Sequence, residues 1–427
     1  MRQTPGMRPE TVPDVATVQR RTVRVLSGGV ALAGLGVTVG ITAGGLLARD
    51  VAGTDSAAGL GQTAGVLGAA VLAVPLARIS DAAGRRAGLS VGYLLSVVGA
   101  VVTVVAAAAS SLVLLLVGLF LFGSATACGL QARYAAADLA TPEHRGRALS
   151  LVVWATTIGS VLGPNLAAPG ADLGTALGLP PLAGAFVVSA VVFAVVAVVL
   201  LTLLRPDPLL LARQSGGRTG APPPRTATGT ALRAVWATPS GRLGLVSVVV
   251  AHSVMVGVMV MTPVHMGHAG GGEDAVLRVV GLVISVHVAG MYLFSPLVGA
   301  LVDRSGAATV VALGGGLLLA AAAVSGPAGP AESLRLGVGL LLLGLGWSCG
   351  LIAGSALVTG SVGPELRPTA QGGTDLLMGL GAALAGVAGG PLLAWGGFGL
   401  VTAVSATLVL PLVVVWVSVA LRAPRSR

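Results

Sequence analysis

The stretch HSVMVGVMVMTPVHMGH, residues 252–268, holds three of the five histidines and four of the eight methionines in a chain of 427 residues. Thioether and imidazole are soft, neutral donors that suit monovalent copper far better than Mg²⁺, Ca²⁺ or Mn²⁺. At about 100° per residue along a helix, taking His252 as zero, Met259 falls near 340°, Met266 near 320°, Met255 near 300° and Thr262 near 280°. Four soft ligands and a hydroxyl then share a face about 80° wide. Met261 points the opposite way, and Pro263 bends the helix before Met266. A second segment, SVHVAGMYLFSP, places His287 and Met291 four residues apart, so both lie on one side of their helix. Such a set brings no carboxylate, which fits a singly charged ion and fits Zn²⁺ poorly. Methionine is also an adaptable gap-filler of helix packing, whereas histidine inside a membrane is by default functional. Three uses of this face therefore stand side by side: a copper site, a pocket for an organic ligand, and plain packing.

These residues must be carried by membrane helices. Hydrophobic residues make up 55% of the chain and charged residues 9%, against roughly 25% charged in an ordinary globular domain. Apolar runs of about 20 residues, enough to span a bilayer, recur with short polar breaks. Six are expected in each half: roughly 25–47, 58–79, 88–108, 112–138, 147–168 and 182–204, then 243–264, 278–301, 307–325, 336–358, 369–393 and 398–420. The fold class is all-α integral membrane, twelve transmembrane helices in two six-helix bundles. Residues 1–24 form an N-terminal tail, 25–204 the first bundle, 205–242 a flexible linker, 243–421 the second bundle and 422–427 a C-terminal tail. The first apolar run is too long for a signal-peptide core, so it is read as a retained span.

All 25 basic residues are arginine, and 21 of them fall in breaks or tails that share one side if both termini lie there. The excess of positive loops marks the cytoplasmic side, so both termini are expected there, in the plasma membrane. The net charge of +10 thus reports topology, and no nucleic-acid partner is implied. The chain shows no nucleotide-binding loop and no nucleophile–base cluster, which argues against an enzyme; the expected partners are the lipid bilayer and a small-molecule or metal-ion substrate. Cys128 and Cys349 sit in apolar context, so no disulfide is expected; a thiol relay for copper is the functional alternative to inert burial.

The halves repeat. ISDAAGRRAG places Asp81 and Gly84 after the second span, and LVDRSGAATV places Asp303 and Gly306 after the eighth, an offset of 222 residues. PEHR at Pro142 and PELR at Pro364 share that offset, and CGL recurs one residue short of it. Parallel six-helix halves point to a transporter with a site between them. Glycine permits the tight reversal, and a carboxylate at one helix end can cap another helix's N-terminus.

Over nearly its whole length the sequence resembles the major facilitator superfamily, whose loop between spans 2 and 3 reads G-x-L-a-D-R-x-G-R-R. GALVDRSG, with Gly299, Asp303, Arg304 and Gly306, matches its first part. ARISDAAGRRAG keeps Asp81, Gly84, Arg85 and Arg86 but has Ala77 for the first glycine. The resemblance implies that Asp81 lies against the start of span 11 and Arg85 against an acid at the end of span 4, here Asp138. It implies alternating access, with this latch holding the outward-open state. GSVLGP, with Gly159, Gly163 and Pro164 in span 5, resembles the G-x-x-x-G-P pattern of proton-coupled exporters, although close packing accounts for it equally. M-x-x-x-M in span 7 (Met255, Met259) with H-x-x-x-M in span 8 (His287, Met291) resembles the copper-importing, CcoA-like branch. That resemblance implies copper as the transported ion, no resident cofactor, His252 beside the site and a copper chaperone as a conceivable partner. The branch also has members with organic substrates, riboflavin among those proposed; the alternative function is a proton-coupled exporter or importer of small organic molecules. Asp375 in span 11 is expected either to take up a coupling proton, since desolvation favours its neutral form, or to pair with Arg133. His265, His268, Glu273 and Asp274 fall in an external loop that is either a mouth-side metal site or simply solvated.

Overall fold

The structure, a computed structural model, describes residues 14–53, 56–163, 166–215, 226–268 and 273–421. Span 1 is Val15–Ala52, 38 residues long. At 1.5 Å per residue it measures about 57 Å, well beyond a hydrocarbon core of about 30 Å. It begins ten residues before the apolar run because the Asp14 carboxylate accepts the N–H groups of Ala16 and Thr17 and caps it. Span 2 is Ser56–Ala83, with Pro75 inside. Span 3, Arg85–Ala108, follows after a single residue, Gly84, at φ 90°. Span 4 is two abutting helices, Leu112–Phe122 and Ser124–Ala137. Span 5 is Arg145–Leu162 and span 6 Gly184–Leu203. A short helix, Ala167–Ala176, lies between them where the expected fifth span would have ended.

The second half repeats the pattern. Span 7 is Pro239–Gly267. Span 8 runs as Glu273–Val288, a π-helical turn Ala289–Leu293, and Ser295–Ser305. Span 9 is Ala307–Ser325, reached through Gly306 at φ 84°. The two loops that share a sequence motif thus share a left-handed glycine, a conformation any other residue adopts only under strain. Span 10 is Ser333–Ser361. The helix Arg367–Thr407 breaks at Gly396 and at Gly397, φ 67°, into span 11 and the start of span 12; Leu410–Ala420 completes span 12.

Each half has its own apolar core, and Tyr134, Ala137, Leu149 and Val153 of the first half pack into the core of the second. The fold is therefore an all-α, multi-span membrane fold built from two pseudo-symmetric halves. Across the boundary, span 2 lies along span 11 and span 5 along span 8. The segment expected to be a featureless linker contains two helices, Pro208–Ser215 and Thr228–Ala237. Both carry buried apolar residues, Leu209 and Leu211 on the first and Ala231 and Val235 on the second. That burial gives them a reason to fold against the bundle. They mark one end of the molecule, the linker end.

Candidate functional site

At the linker end a network of charges ties the halves together. Arg85, fully buried, donates from Nε to Asp138 Oδ2 at 2.7 Å and from Nη2 to Asp138 Oδ1 at 3.2 Å. The same Nη2 reaches Gln371 of span 11, so the pair inside the first half is stitched to the second. Asp81 accepts from Thr369 Oγ1 at 3.4 Å, at the start of span 11. Its main partner was not foreseen. Arg213, on the first linker helix, holds the Asp81 carboxylate and backbone carbonyl, and also donates to the carbonyls of Pro364 and Glu365. Arg86 contributes its backbone N–H, which donates to Asp207 Oδ2 at 2.8 Å. In the second copy of the motif, Asp303 accepts the N–H groups of Gly146 and Arg147 at 2.7 and 2.9 Å, capping span 5 from another helix. Arg304 is exposed.

Glycines decide how closely the helices cross here. A Cβ on Gly299 of span 8 would collide with the Ser150 hydroxyl of span 5, and a Cβ on Gly372 of span 11 would collide with the Ala77 methyl of span 2. Ala77 and Gly299 are equivalent under the 222-residue repeat, and so are Ser150 and Gly372. Each crossing thus pairs one glycine with one small residue, but the glycine has changed sides. Ala77, the departure from the family motif, is compensated on the opposing helix.

Further in, Arg133 of span 4 forms the deepest charged tie. Nη2 donates to Asp375 Oδ1 at 2.8 Å and to the Tyr134 hydroxyl at 3.1 Å; Nε donates to Ser355 Oγ at 3.1 Å. Arg133 and Ser355 are themselves 222 residues apart, so the pseudo-symmetry axis passes between them. Both charged groups are buried, with 1% and 2% side-chain exposure; Asp375 Oδ2 has no hydrogen-bond partner among the described residues. Asp375 lies eight residues into span 11, about 12 Å from its start. Ser295 Oγ of span 8 donates to the Ser150 carbonyl of span 5 at 3.1 Å at similar depth.

Beyond this layer the four expected copper ligands do not behave as a ligand set. Met255 and Met291 are buried in the apolar core of the second half, 4% and 6% exposed. His287 is fully buried with Nδ1 on the Leu340 carbonyl at 2.8 Å. Met259 is half-buried against the same core. The π-helical turn starts between His287 and Met291, and a π-turn takes more residues per revolution, so four residues no longer make one turn. Among the described residues no three His, Cys, Asp or Glu side chains gather where they could hold a metal. Cys128 and Cys349 belong to the cores of different halves, which leaves the thiol relay without geometry. His265 bonds the Ala328 carbonyl at 3.0 Å and stacks on Phe398; His268 is exposed. The side chains of Glu273 and Asp274 lie outside the described residues, as does Pro164. Gly159 abuts the backbone of Gly34, and Gly163 the Thr38 side chain, so this part of the span 5 motif is a close contact with span 1.

His252 has a different environment. Its Nδ1 accepts from Trp347 Nε1 at 2.8 Å, and Tyr292 meets the Trp347 ring edge-to-face at 5.5 Å. His252 and Tyr292 are half-buried, and Trp347 is 2% exposed. The sequence reading missed Trp347 and Tyr292. Their one advance signal was rarity: aromatic residues are 3% of the chain.

A profile of the Major Facilitator Superfamily matches residues 26–277. The uncharacterized MFS-type transporter YddS of Bacillus subtilis (strain 168) is 39% identical over 402 residues, 93% of this chain and 91% of that one. The riboflavin transporter RfnT of Brucella anthropi is 27% identical over 366 residues, 85% of this chain and 86% of that one. In structure, the proton:xylose symporter XylE superposes with a TM-score of 0.70 at 15% identity, covering 96% of this chain and 97% of that one. The chain belongs to the Major Facilitator Superfamily: it is a multi-pass membrane transporter and not an enzyme. Copper uptake is corrected. No metal cluster forms among the described residues, two of the four ligands are spent on core packing, and the similarity reaches a riboflavin transporter. Nothing then supports a copper chaperone as partner.

Proposed function

We propose that this chain carries a small organic solute across the plasma membrane by secondary, alternating-access transport, with both termini and the linker end facing the cytoplasm. The reading is carried by the layer of polar ties that joins the halves at the linker end: Arg213, which bridges Asp81 and the Pro364 and Glu365 carbonyls, then Arg85–Gln371, then Arg133–Asp375. Each tie crosses between units with separate cores, so breaking the layer lets the halves rock without unfolding either one. The arginine excess on that end supports its cytoplasmic placement. On this reading the conformation described is closed to the cytoplasm, and Asp81, Arg85 and Asp138 latch it. The name of the relative RfnT, a riboflavin transporter, supports an organic cargo.

Asp375 is the carboxylate placed to couple transport to protons. A proton on it would cancel the charge that holds Arg133 across the boundary, and Oδ2, which accepts no hydrogen bond among the described residues, has room to receive one. Such coupling supports either import or export.

Cysteine accessibility tests the reading. Val260 is 40% exposed, two turns along span 7 from His252. In V260C, with the two native cysteines replaced by alanine, a membrane-impermeant maleimide is expected to label from outside. Adding D81A is expected to lower that labelling at least threefold as the population moves to the opposite state. Labelling that does not respond to D81A, or to R85A, would refute the latch and the alternation it serves.

A further inference from the structure

We propose that His252, Tyr292 and Trp347 form the cargo site, and that the cargo is an uncharged, flat aromatic heterocycle with hydrogen-bond acceptors on its edge. This inference rests on the transport reading above and names the class of substrate. Ser295, whose hydroxyl crosses to the Ser150 carbonyl, also bonds the carbonyl of Tyr292, one turn away. Trp347 lies eight residues along span 10 from Ser355, the partner of Arg133, or about 12 Å further from the closed end. The trio therefore sits directly above the layer that seals the linker end, where a cargo would rest before that layer opens.

The local backbone is shaped for this purpose. Gly290 and Gly344 bring spans 8 and 10 into backbone contact, since a Cβ on either would strike main-chain atoms of the other helix. The π-helical turn begins at Ala289 and contains Tyr292. Single π turns recur at functional sites because they redirect one or two side chains; here the redirected ring meets Trp347 edge-on.

The chemistry follows from what the trio offers. Trp347 Nε1–H donates to His252 Nδ1, which fixes the neutral imidazole with its proton on Nε2. The half-buried His252 thus presents one N–H donor, and Tyr292 presents one hydroxyl beside an aromatic face. A flat ring with edge carbonyls or ring nitrogens satisfies both. A polyol with no aromatic ring would bring several hydroxyls to these two groups and no flat face to lie against the Tyr292 ring. A cation would find no counter-charge: spans 7 and 10 contain no acid, span 8 has none within ten residues of Tyr292, and Asp375 is held by Arg133.

The test uses the full-length protein in detergent and in proteoliposomes, with riboflavin and lumichrome as flat heterocyclic probes, D-xylose as the polyol and ethidium as the flat cation. Stacking on the half-buried Tyr292 ring, held in place by the buried Trp347, is expected to quench flavin fluorescence. Y292A is expected to weaken flavin binding about tenfold, as for lost aromatic stacking, and H252L about tenfold through the lost N–H donor, whereas H252Q, which keeps a side-chain N–H, stays within about threefold. The V260C background reports in parallel that each variant still folds and alternates. Alternation without flavin binding, flavin binding indifferent to Y292A and H252L, or preference for xylose or ethidium would overturn the cargo site and leave the transporter reading standing. Absence of alternation would instead overturn that reading itself.

Discussion

Asp375 and Arg133 are the most consequential pair at the level of single residues. Both are buried, and each is the other's charge partner. Removing one member of such a pair typically costs about 3–5 kcal/mol, because the survivor is left charged and alone. D375N keeps a hydrogen-bond acceptor for Arg133 but cannot bind or release a proton. It is expected to retain exchange of cargo between compartments at equal pH while losing accumulation driven by a pH gradient. Counterflow and gradient-driven uptake in the same proteoliposomes separate the two; gradient-driven uptake persisting in D375N would place the coupling elsewhere. Ala77 makes a finer point. Gly372 already meets its methyl, so G372S overfills the crossing of spans 2 and 11. Overpacking costs about 1–3 kcal/mol, and V260C labelling is expected to fall at least fivefold. The double variant A77G/G372S recreates the arrangement of Gly299 and Ser150 in the other half, and labelling should return to within threefold of the starting protein.

The linker helix Pro208–Ser215 is where element and gate meet. Its start is capped by Asp207, whose carboxylate accepts from Leu209 and Leu210 N–H as well as from Arg86 N–H, so helix and motif loop share one acid. Arg213 at its other end then spans from Asp81 to the carbonyls before span 11. The second linker helix adds a weaker tie through Thr228 to Arg78 at 3.2 Å. R213Q should release the strap without disturbing either core. Side-chain bonds to a charged group are worth about 1.5–3 kcal/mol, and these groups are partly exposed, so the lower end applies. Impermeant-maleimide labelling of V260C is expected to drop about fivefold in R213Q, with thermal stability of the purified protein changed by less than 3 °C. A large loss of stability with unchanged labelling would make Arg213 a structural residue only.

For the whole molecule, composition and hydropathy anticipated a great deal. The spans, the repeat and the positive-φ glycines at Gly84 and Gly306 all have local causes. The linker helices escaped because their apolar runs, LLL at 209–211 and ALRAVWA at 231–237, are far too short to span a bilayer, and they fold only where the bundle offers a surface. The metal reading failed for a related reason. Periodicity placed Met255 and Met259 on one side of span 7, but it could not say that this side divides between the core, for Met255, and the open boundary, for His252.

The sequence by itself determined that the chain crosses a membrane in two like halves and which loops carry the positive charge. In lipid every backbone polar group must be satisfied within its own helix, so about 20 apolar residues in a row are sufficient cause for a span. Only the tertiary structure decided which helix faces meet. Core, lipid and boundary are all lined by apolar residues, so the pattern along a helix does not distinguish them. The pairs that do, such as Arg133 with Asp375 and His252 with Trp347, join residues 242 and 95 positions apart.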